Sequence, residues 1–167
     1  MLVVSDASPI NILVRIGYID TLPKLFETVI IPPAVAGELS HSRTPQVVRE
    51  WLAARPPWFQ VRAPSRVDLT LTRDPGEREA ICLACEIKAD AILLDDLRAR
   101  QIAERLGLNV TGTVGVLDLA AERGLLSLPE AIAALSRTDF RISDELLTQA
   151  LKNDAERRAR KKDLPRR

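Results

Sequence analysis

Residues 76–113, GEREAICLACEIKADAILLDDLRARQIAERLGLNVTGT, show most clearly how the chain is built. Apolar residues at helical spacing predict a helix over residues 76–88, and the apolar run at residues 91–94 predicts a short buried strand that ends at an acidic pair. A second helix is predicted over residues 97–106, and a short strand over residues 109–111 follows it. The stretch therefore alternates between helix and strand.

The same alternation continues on both sides. Apolar, β-branched runs predict strands at residues 2–4 and 28–31, and a further extended piece is predicted at residues 59–62. Short apolar strands that alternate with helices indicate an α/β fold with a mainly parallel sheet. Six further helices are predicted. One begins at Ser8-Pro9, two include residues 35–39 and residues 48–52, and three cover residues 114–123, 129–136 and 144–158.

Composition excludes several classes of protein. With 46% hydrophobic residues in 167, the chain can bury a sizeable core. One His and two Cys are too few for a zinc site built from these residues or for a disulfide framework. No apolar run approaches the roughly 18 residues that a membrane helix needs. We therefore expect a cytoplasmic protein without a membrane segment.

The charge is unevenly distributed along the chain. The net charge is +1, but residues 156–167 carry an excess of five positive charges, which leaves residues 1–155 at −4. We expect one domain over residues 1–155, followed by a basic, flexible tail over residues 156–167. An acidic body is a poor general clamp for nucleic acid, so any such contact must come from local patches or from metal ions.

Acidic residues directly follow two of the predicted strands. Asp6 comes after the first strand, and Asp95-Asp96 follow the strand at residues 91–94. In parallel sheets the carboxyl ends of the strands lie at one edge, where binding sites collect. If the two strands are neighbours, these carboxylates converge. Two further acids lie early in predicted helices and could reach the same edge: Glu38, and either Glu77 or Glu79.

Several carboxylates at one edge repel one another unless a cation lies between them. Mg²⁺ or Mn²⁺ is the natural partner because both prefer oxygen ligands. Two such ions about 4 Å apart could hold a phosphodiester, activate a water and stabilise the leaving oxygen. That chemistry needs no His, which suits a chain whose single His is His41. The alternative for each acid alone is a helix cap or a turn residue.

Five pieces of the sequence, in order, resemble the motifs of PIN-domain proteins. Together they span residues 1 to about 125, and the likeness is closest to a bacterial and archaeal subgroup described as predicted nucleic-acid-binding proteins. The pieces are VSDASP at residues 4–9, IPPAV at 31–35 with Glu38, DPGEREAI at 74–81, LLDD at 93–96 with Arg98 and Arg100, and GTVGVL at 112–117.

The resemblance implies a three-layer α/β/α fold with a parallel sheet and a ribonuclease site that depends on Mg²⁺ or Mn²⁺. Many relatives are toxins of toxin–antitoxin modules. The resemblance therefore also implies three partners: an RNA substrate, a small antitoxin protein and a second copy of the chain in a homodimer. Position by position, it places metal ligands at Asp6 and Glu38, a third at Glu77 or Glu79, a fourth at Asp95 or Asp96, and a small hydroxyl residue near the site at Thr113.

Arginines follow the Asp95-Asp96 pair on one predicted helix. Arg98 and Arg100 are the predicted substrate-binding residues, since guanidinium groups suit phosphates, although pairing with nearby acids would also explain them.

Two other functions stay open at this point. The first is a non-catalytic RNA-binding or scaffold protein with the same fold. The second is a receiver-like phospho-signalling domain, which also clusters Asp at strand ends. Such a domain needs a Lys at a late strand end, where this chain has Gly112-Thr113.

Overall fold

The computed structural model describes residues 1–162 and contains a sheet of five parallel strands. The strands are Leu2–Ser5 (β1), Thr28–Ile31 (β2), Phe59–Val61 (β3), Ala91–Leu93 (β4) and Val110–Thr111 (β5). Their order is β3-β2-β1-β4-β5, so β1 lies in the middle and pairs with β2 and β4. All five strands were predicted from the sequence, and their parallel pairing confirms the predicted type of sheet.

The helices also follow the predictions, with three differences. The first helix begins at Ala7 with Asp6 at its N-cap position, rather than with Ser8 as the cap. A 3₁₀ turn at Ile19–Thr21 and the short helix after it were not predicted. The last helix ends at Lys162 rather than near residue 158. The helices are Ala7–Arg15 (α1), Leu22–Leu25 (α2), Pro33–Leu39 (α3), Gln46–Ala54 (α4), Pro75–Glu86 (α5), Leu97–Arg105 (α6), Thr113–Glu122 (α7), Leu128–Ser136 (α8) and Asp144–Lys162 (α9).

Among residues 1–162, no helix combines the length and the apolar character needed to cross a membrane. The chain divides into two compact units, Met1–Thr113 and Val114 onward. All five strands lie in the first unit.

The crossover connections place helices on both faces of the sheet. From β1 the chain moves outward through β2 to β3, returns to β4 on the other side of β1, and continues to β5. Because connections between parallel strands are right-handed, α1, α2 and α4 cover one face and α5 and α6 cover the other. The short helix α3 packs against both α1 and α5. The fold is therefore the expected three-layer α/β/α arrangement with a parallel sheet.

Each face of the sheet has its own apolar core, because side chains alternate along a strand. Val4, Ile30 and Ile92 pack with small residues of α5 and α6, such as Ala80 and Ala103. The alternate residues of the same strands are also fully buried, namely Val3, Val29 and Leu93. Burial on both faces explains why the strands are continuous apolar runs rather than alternating ones.

The strand order reverses between β1 and β4. The chain leaves β1 toward the face covered by α1 and leaves β4 toward the face covered by α6, so a crevice opens at their carboxyl ends. The register pairs Ser5 with Leu93. The residues that follow the two strands therefore begin at the same level of the sheet.

The second unit consists of α8, α9 and most of α7, and a charged cluster joins two of these helices. Arg157 of α9 forms ion pairs with Asp118 of α7 and with the buried Asp154. The first residues of the predicted basic tail therefore belong to α9. Tail residues 163–167 lie outside the described residues.

Candidate metal centre

Asp6 follows β1 directly, and its carboxylate is buried. Its backbone N–H donates a hydrogen bond to the carbonyl oxygen of Leu93 at 3.0 Å, which fixes Asp6 beside the carboxyl end of β4. The residue is only 8% exposed, and its Oδ1 atom has no hydrogen-bond partner in the described chain. A buried carboxylate oxygen without a donor is costly and requires an explanation.

Two further carboxylates converge on Asp6. Glu38 comes from α3, which begins at Pro33 immediately after β2, and Asp74 precedes the first residue of α5. One carboxylate oxygen from each of Asp6, Glu38 and Asp74 lies within 4.8 Å of the other two. Three elements that are distant in sequence thus bring three negative charges to one point.

Gly76 shows how closely the three carboxylates surround this point. A Cβ atom at Gly76 would lie 3.1 Å from Asp6 Oδ1, 3.2 Å from Asp74 Oδ1 and 3.4 Å from Glu38 Oε2. The second residue of α5 therefore forms one wall of the cluster, and its lack of a side chain keeps the space between the carboxylates open.

The ionised form of Asp6 is disfavoured in the folded chain. Burial raises the pKa of Asp6 to about 7, because the charged carboxylate is poorly solvated there. A hydrogen bond from the backbone N–H of Ala7 opposes this shift. The negative charges of Glu38, Asp74 and Glu77 add to it. The folded chain therefore holds several like charges together at a free-energy cost.

Two other carboxylates share this electrostatic environment. Partial desolvation, and then the charge of Asp74, raise the pKa of Glu38. Desolvation also raises the pKa of Glu77, against a hydrogen bond of 3.0 Å from the Thr72 hydroxyl. The charges of Asp74, Asp96 and Glu38 raise it further. Asp96 thus acts electrostatically on the cluster through Glu77.

Asp95 has a different environment. Its Oδ1 accepts a hydrogen bond from the backbone N–H of Thr113 at 2.7 Å. Its Oδ2 accepts from the Thr113 hydroxyl at 2.7 Å and from the Ser8 hydroxyl at 2.9 Å. Both oxygens of Asp95 are therefore engaged, and Thr113, which is fully buried, directs both of its donors at this carboxylate. Asp96 instead caps α6, where its Oδ1 accepts from the backbone N–H of Ala99 at 2.9 Å.

The structure separates Glu79 from Glu77. The Oε2 atom of Glu79 accepts a hydrogen bond of 2.9 Å from the backbone N–H of Ala34 in the first turn of α3. Glu79 therefore joins α5 to α3, whereas the charge of Glu77 acts on Asp6 in the acidic cluster.

The two predicted substrate-binding arginines also point to different places. Arg100 lies against Gly112, where an added Cβ would meet its Nη1 atom at 2.5 Å and Asp95 Oδ1 at 3.0 Å. Arg98 is exposed on the first turn of α6 and lines an open groove beside Asp96.

A family model described as a PIN domain matches residues 2–156. The chain belongs to the PIN-domain family. PIN domains are generally nucleases and typically bind divalent metal ions. No curated protein and no solved structure matches the chain significantly.

Asp74 lies in the DPGEREAI motif of the PIN domain but was not among the predicted metal ligands. The local pattern explains Asp74 as an ordinary helix cap, since Asp74 precedes Pro75 and its Oδ1 accepts from the Glu77 backbone N–H at 2.9 Å. The available signal was its position three residues before Glu77, on the same side of the first turn of α5.

The acidic cluster fits a divalent cation. The partnerless oxygen of Asp6 points to a positive ligand, and all three donors are the carboxylate oxygens that Mg²⁺ and Mn²⁺ prefer. The neighbouring charges that act on Asp6 are negative, so a cation would relieve the repulsion and the cost of burial together.

Stability of the metal-free PIN domain should depend on Asp6. Its folded-state pKa of about 7 lies above the ordinary value near 3.9, so ionisation is penalised in the folded state. The penalty is absent below about pH 4, grows as the pH rises, and is complete above pH 7 at about 4 kcal/mol. In EDTA at pH 8, Asp6→Asn should therefore raise the free energy of unfolding by up to this amount, and at pH 4 the gain should vanish. Urea denaturation at both pH values measures this.

Asp20→Asn, which removes an exposed carboxylate in the 3₁₀ turn, serves as the control and should leave the pH dependence of unfolding unchanged. An Asp6→Asn variant that is less stable than the parent at pH 8 in EDTA would contradict the prediction.

A methyl group at Gly76 should impair metal binding without unfolding the chain. Gly76→Ala places a Cβ atom among the three carboxylates and should weaken Mn²⁺ binding about tenfold or more, as measured by calorimetric titration. Ala favours the helix by about 1 kcal/mol relative to Gly, so the variant should still fold. Gly37→Ala is the matched control, because a Cβ at Gly37 of α3 meets no atom within 4 Å. Equal Mn²⁺ affinity for both variants would refute the assignment of this space.

Proposed function

We propose that this PIN-domain protein is an endoribonuclease that requires Mg²⁺ or Mn²⁺. The observation that carries the proposal is the buried, partnerless Oδ1 of Asp6 beside the carboxylates of Glu38 and Asp74. Such a group needs a cation, and its place at the carboxyl ends of β1 and β4 is where α/β folds hold ligands. Asp6, Glu38 and Asp74 would hold the ion.

A bound divalent ion would supply a Lewis acid for the phosphodiester and a more acidic water as the nucleophile. The chain's own residues would orient the attacking water and accept its proton. Glu77 has a raised pKa and a hydrogen bond from Thr72, and it is suited to accept a proton from a water in the crevice. The negative charge of Asp96 helps to keep the pKa of Glu77 raised.

Asp95 is assigned a positioning role in this proposal. Its hydrogen bonds to Ser8 and Thr113 tie the start of α1 to the residues that follow β5, and α1 begins directly after Asp6. Thr113 acts through Asp95. Glu79 holds α3, which carries Glu38, through the Ala34 backbone.

The resemblance to toxins of toxin–antitoxin modules extends the proposal to a cytoplasmic toxin that pairs with a small antitoxin and forms a homodimer. A neighbouring reading frame that encodes a small DNA-binding protein would support this biological role, and its consistent absence would count against it. The chemistry proposed at the acidic cluster does not depend on that outcome.

Cleavage should require the clustered carboxylates. In Mn²⁺, the wild-type protein should cleave a labelled RNA on a denaturing gel. Asp6→Asn, Glu38→Gln and Asp74→Asn should each lower the rate about 100-fold or more, because each removes a negative charge at the proposed ion. The matched control is Glu50→Gln, which neutralises an exposed acid on α4 and should cleave normally.

If neither the wild-type protein nor Asp6→Asn cleaves RNA in Mn²⁺ while both bind it, the protein is an RNA-binding scaffold rather than a nuclease.

The adjacent acids Asp95 and Asp96 should respond differently to the same change. In Asp96→Asn, the Asn side-chain oxygen can still cap α6. In Asp95→Asn, the hydroxyls of Ser8 and Thr113 can rotate to accept hydrogen bonds from the new amide. Both variants should therefore fold, as thermal unfolding would show. Asp96→Asn should lower cleavage about tenfold or more, whereas Asp95→Asn should keep most of the activity. The reverse ranking would make Asp95 the ligand and Asp96 only a helix cap.

A further inference from the structure

An open groove of about 730 Å³ runs along α6. Its floor is apolar, because Leu71 and Ile102 line it and also pack against the core beneath the sheet. Leu97, at the first turn of α6, is 70% exposed and adds an apolar side chain to its rim. An exposed leucine beside an apolar floor provides a surface for a flat, weakly polar group.

The outer wall of the groove is cationic and polar. Arg98, Gln101 and Arg105 all line it, and their spacing of three and four residues puts them on one face of α6 over about 10 Å. Across residues 1–162, neither Arg98 nor Arg105 forms an ion pair or a hydrogen bond through its side chain. Both guanidinium groups are therefore available to an anionic ligand. The body of the chain is acidic overall, so this cationic face is a local feature.

Asp96 links the groove to the edge of the sheet that carries the acidic cluster. Asp96 lines the groove and follows β4 at the edge where Asp6 follows β1, and its charge acts on Glu77. The groove therefore begins at the same edge of the sheet as the cluster, within reach of nucleotides that flank a phosphate held there. The combination of an apolar floor with two free guanidinium groups matches a nucleotide, which has an apolar base face and an anionic backbone.

We propose that the α6 groove binds single-stranded RNA on one side of the cleaved bond, an inference that rests on the proposed nuclease function. An unstacked base lies against Leu71, Leu97 and Ile102, and the backbone phosphates meet Arg98 and Arg105. Gln101 stands between the two arginines, where its amide can contact a base edge. A duplex keeps its bases stacked and paired and cannot place one on the groove floor, so the groove selects single strands.

Binding measurements test the groove separately from catalysis. Fluorescence anisotropy would follow a short labelled single-stranded RNA in Ca²⁺, with a gel to confirm that the RNA stays intact, at several KCl concentrations. Arg98→Ala and Arg105→Ala should each weaken binding about threefold or more at low salt and reduce the slope of log K against log salt by about 0.7, the value for one phosphate contact on a single strand. Leu97→Ser should weaken binding and leave this slope unchanged, since it removes an apolar contact only.

Matched controls come from surfaces away from the groove. Lys24→Ala removes one positive charge from α2, which precedes the amino end of β2, and Val47→Ser removes an exposed apolar side chain from α4. Both controls should bind as the wild-type protein does. The groove proposal is overturned if the three groove variants bind like the controls, if duplex RNA binds as tightly as single-stranded RNA, or if the wild-type protein binds no RNA.

These outcomes are distinct from failure of the nuclease proposal. If the wild-type protein cleaves RNA and the groove variants bind RNA as tightly as the wild-type protein does, only the groove proposal is refuted. A protein that binds RNA through the groove and does not cleave it in Mn²⁺ refutes the nuclease function alone.

Discussion

Parallel pairing of β1 with β4 is the constraint on which the acidic cluster depends. The pairing places the ends of two strands that are nearly ninety residues apart in sequence at one level, and the Asp6 N–H to Leu93 carbonyl bond extends it by one residue. The crossovers leave these strands toward opposite faces, so backbone does not fill the space beyond them. Acidic side chains that follow the strands must then occupy a shared crevice. Glu38 reaches the same place from the last turn of the short helix α3, and Asp74 reaches it from the N-cap of α5.

The cluster is unfavourable for the folded chain alone. Burial and the neighbouring acids both oppose the ionised form of Asp6, and Gly76 leaves open the space that a side chain could have filled. A chain under selection for stability alone could place a neutral side chain at residue 6 with less cost. The retained charge is what a cation site requires, and it gives a physical reason, independent of the family match, to interpret this edge as functional.

The acidic residues divide between binding and support. Glu79 and Asp95 use their oxygens on backbone and hydroxyl donors, and they hold α3 and the start of α1 in place. Asp74 and Asp96 each cap a helix with one oxygen while their charge acts on the cluster. A carboxylate that caps a helix is held in a fixed direction, so these two residues combine structural and electrostatic roles. This division explains why the local sequence around each acid looks like ordinary capping.

The sequence alone determined the strands, nearly all the helices, the parallel α/β class and the edge at which Asp6 and Glu38 lie, because hydrophobic periodicity and strand-end chemistry are local properties. It predicted Asp6 and Glu38 as metal ligands. It left open whether the third ligand is Glu77 or Glu79 and whether the fourth is Asp95 or Asp96, and it did not predict Asp74 as a ligand. Residues two apart on a helix, or adjacent after a strand, differ in direction by an amount that only packing defines. Tertiary structure decided those directions: Ala34 engages Glu79 and Thr113 engages Asp95, whereas Asp74 belongs to the cluster. Glu77 acts on Asp6 through its charge, and Asp96 acts on Glu77 in the same way. Contacts between segments that are far apart in sequence determine which carboxylates lie close together. The local sequence around each acid does not reveal those contacts.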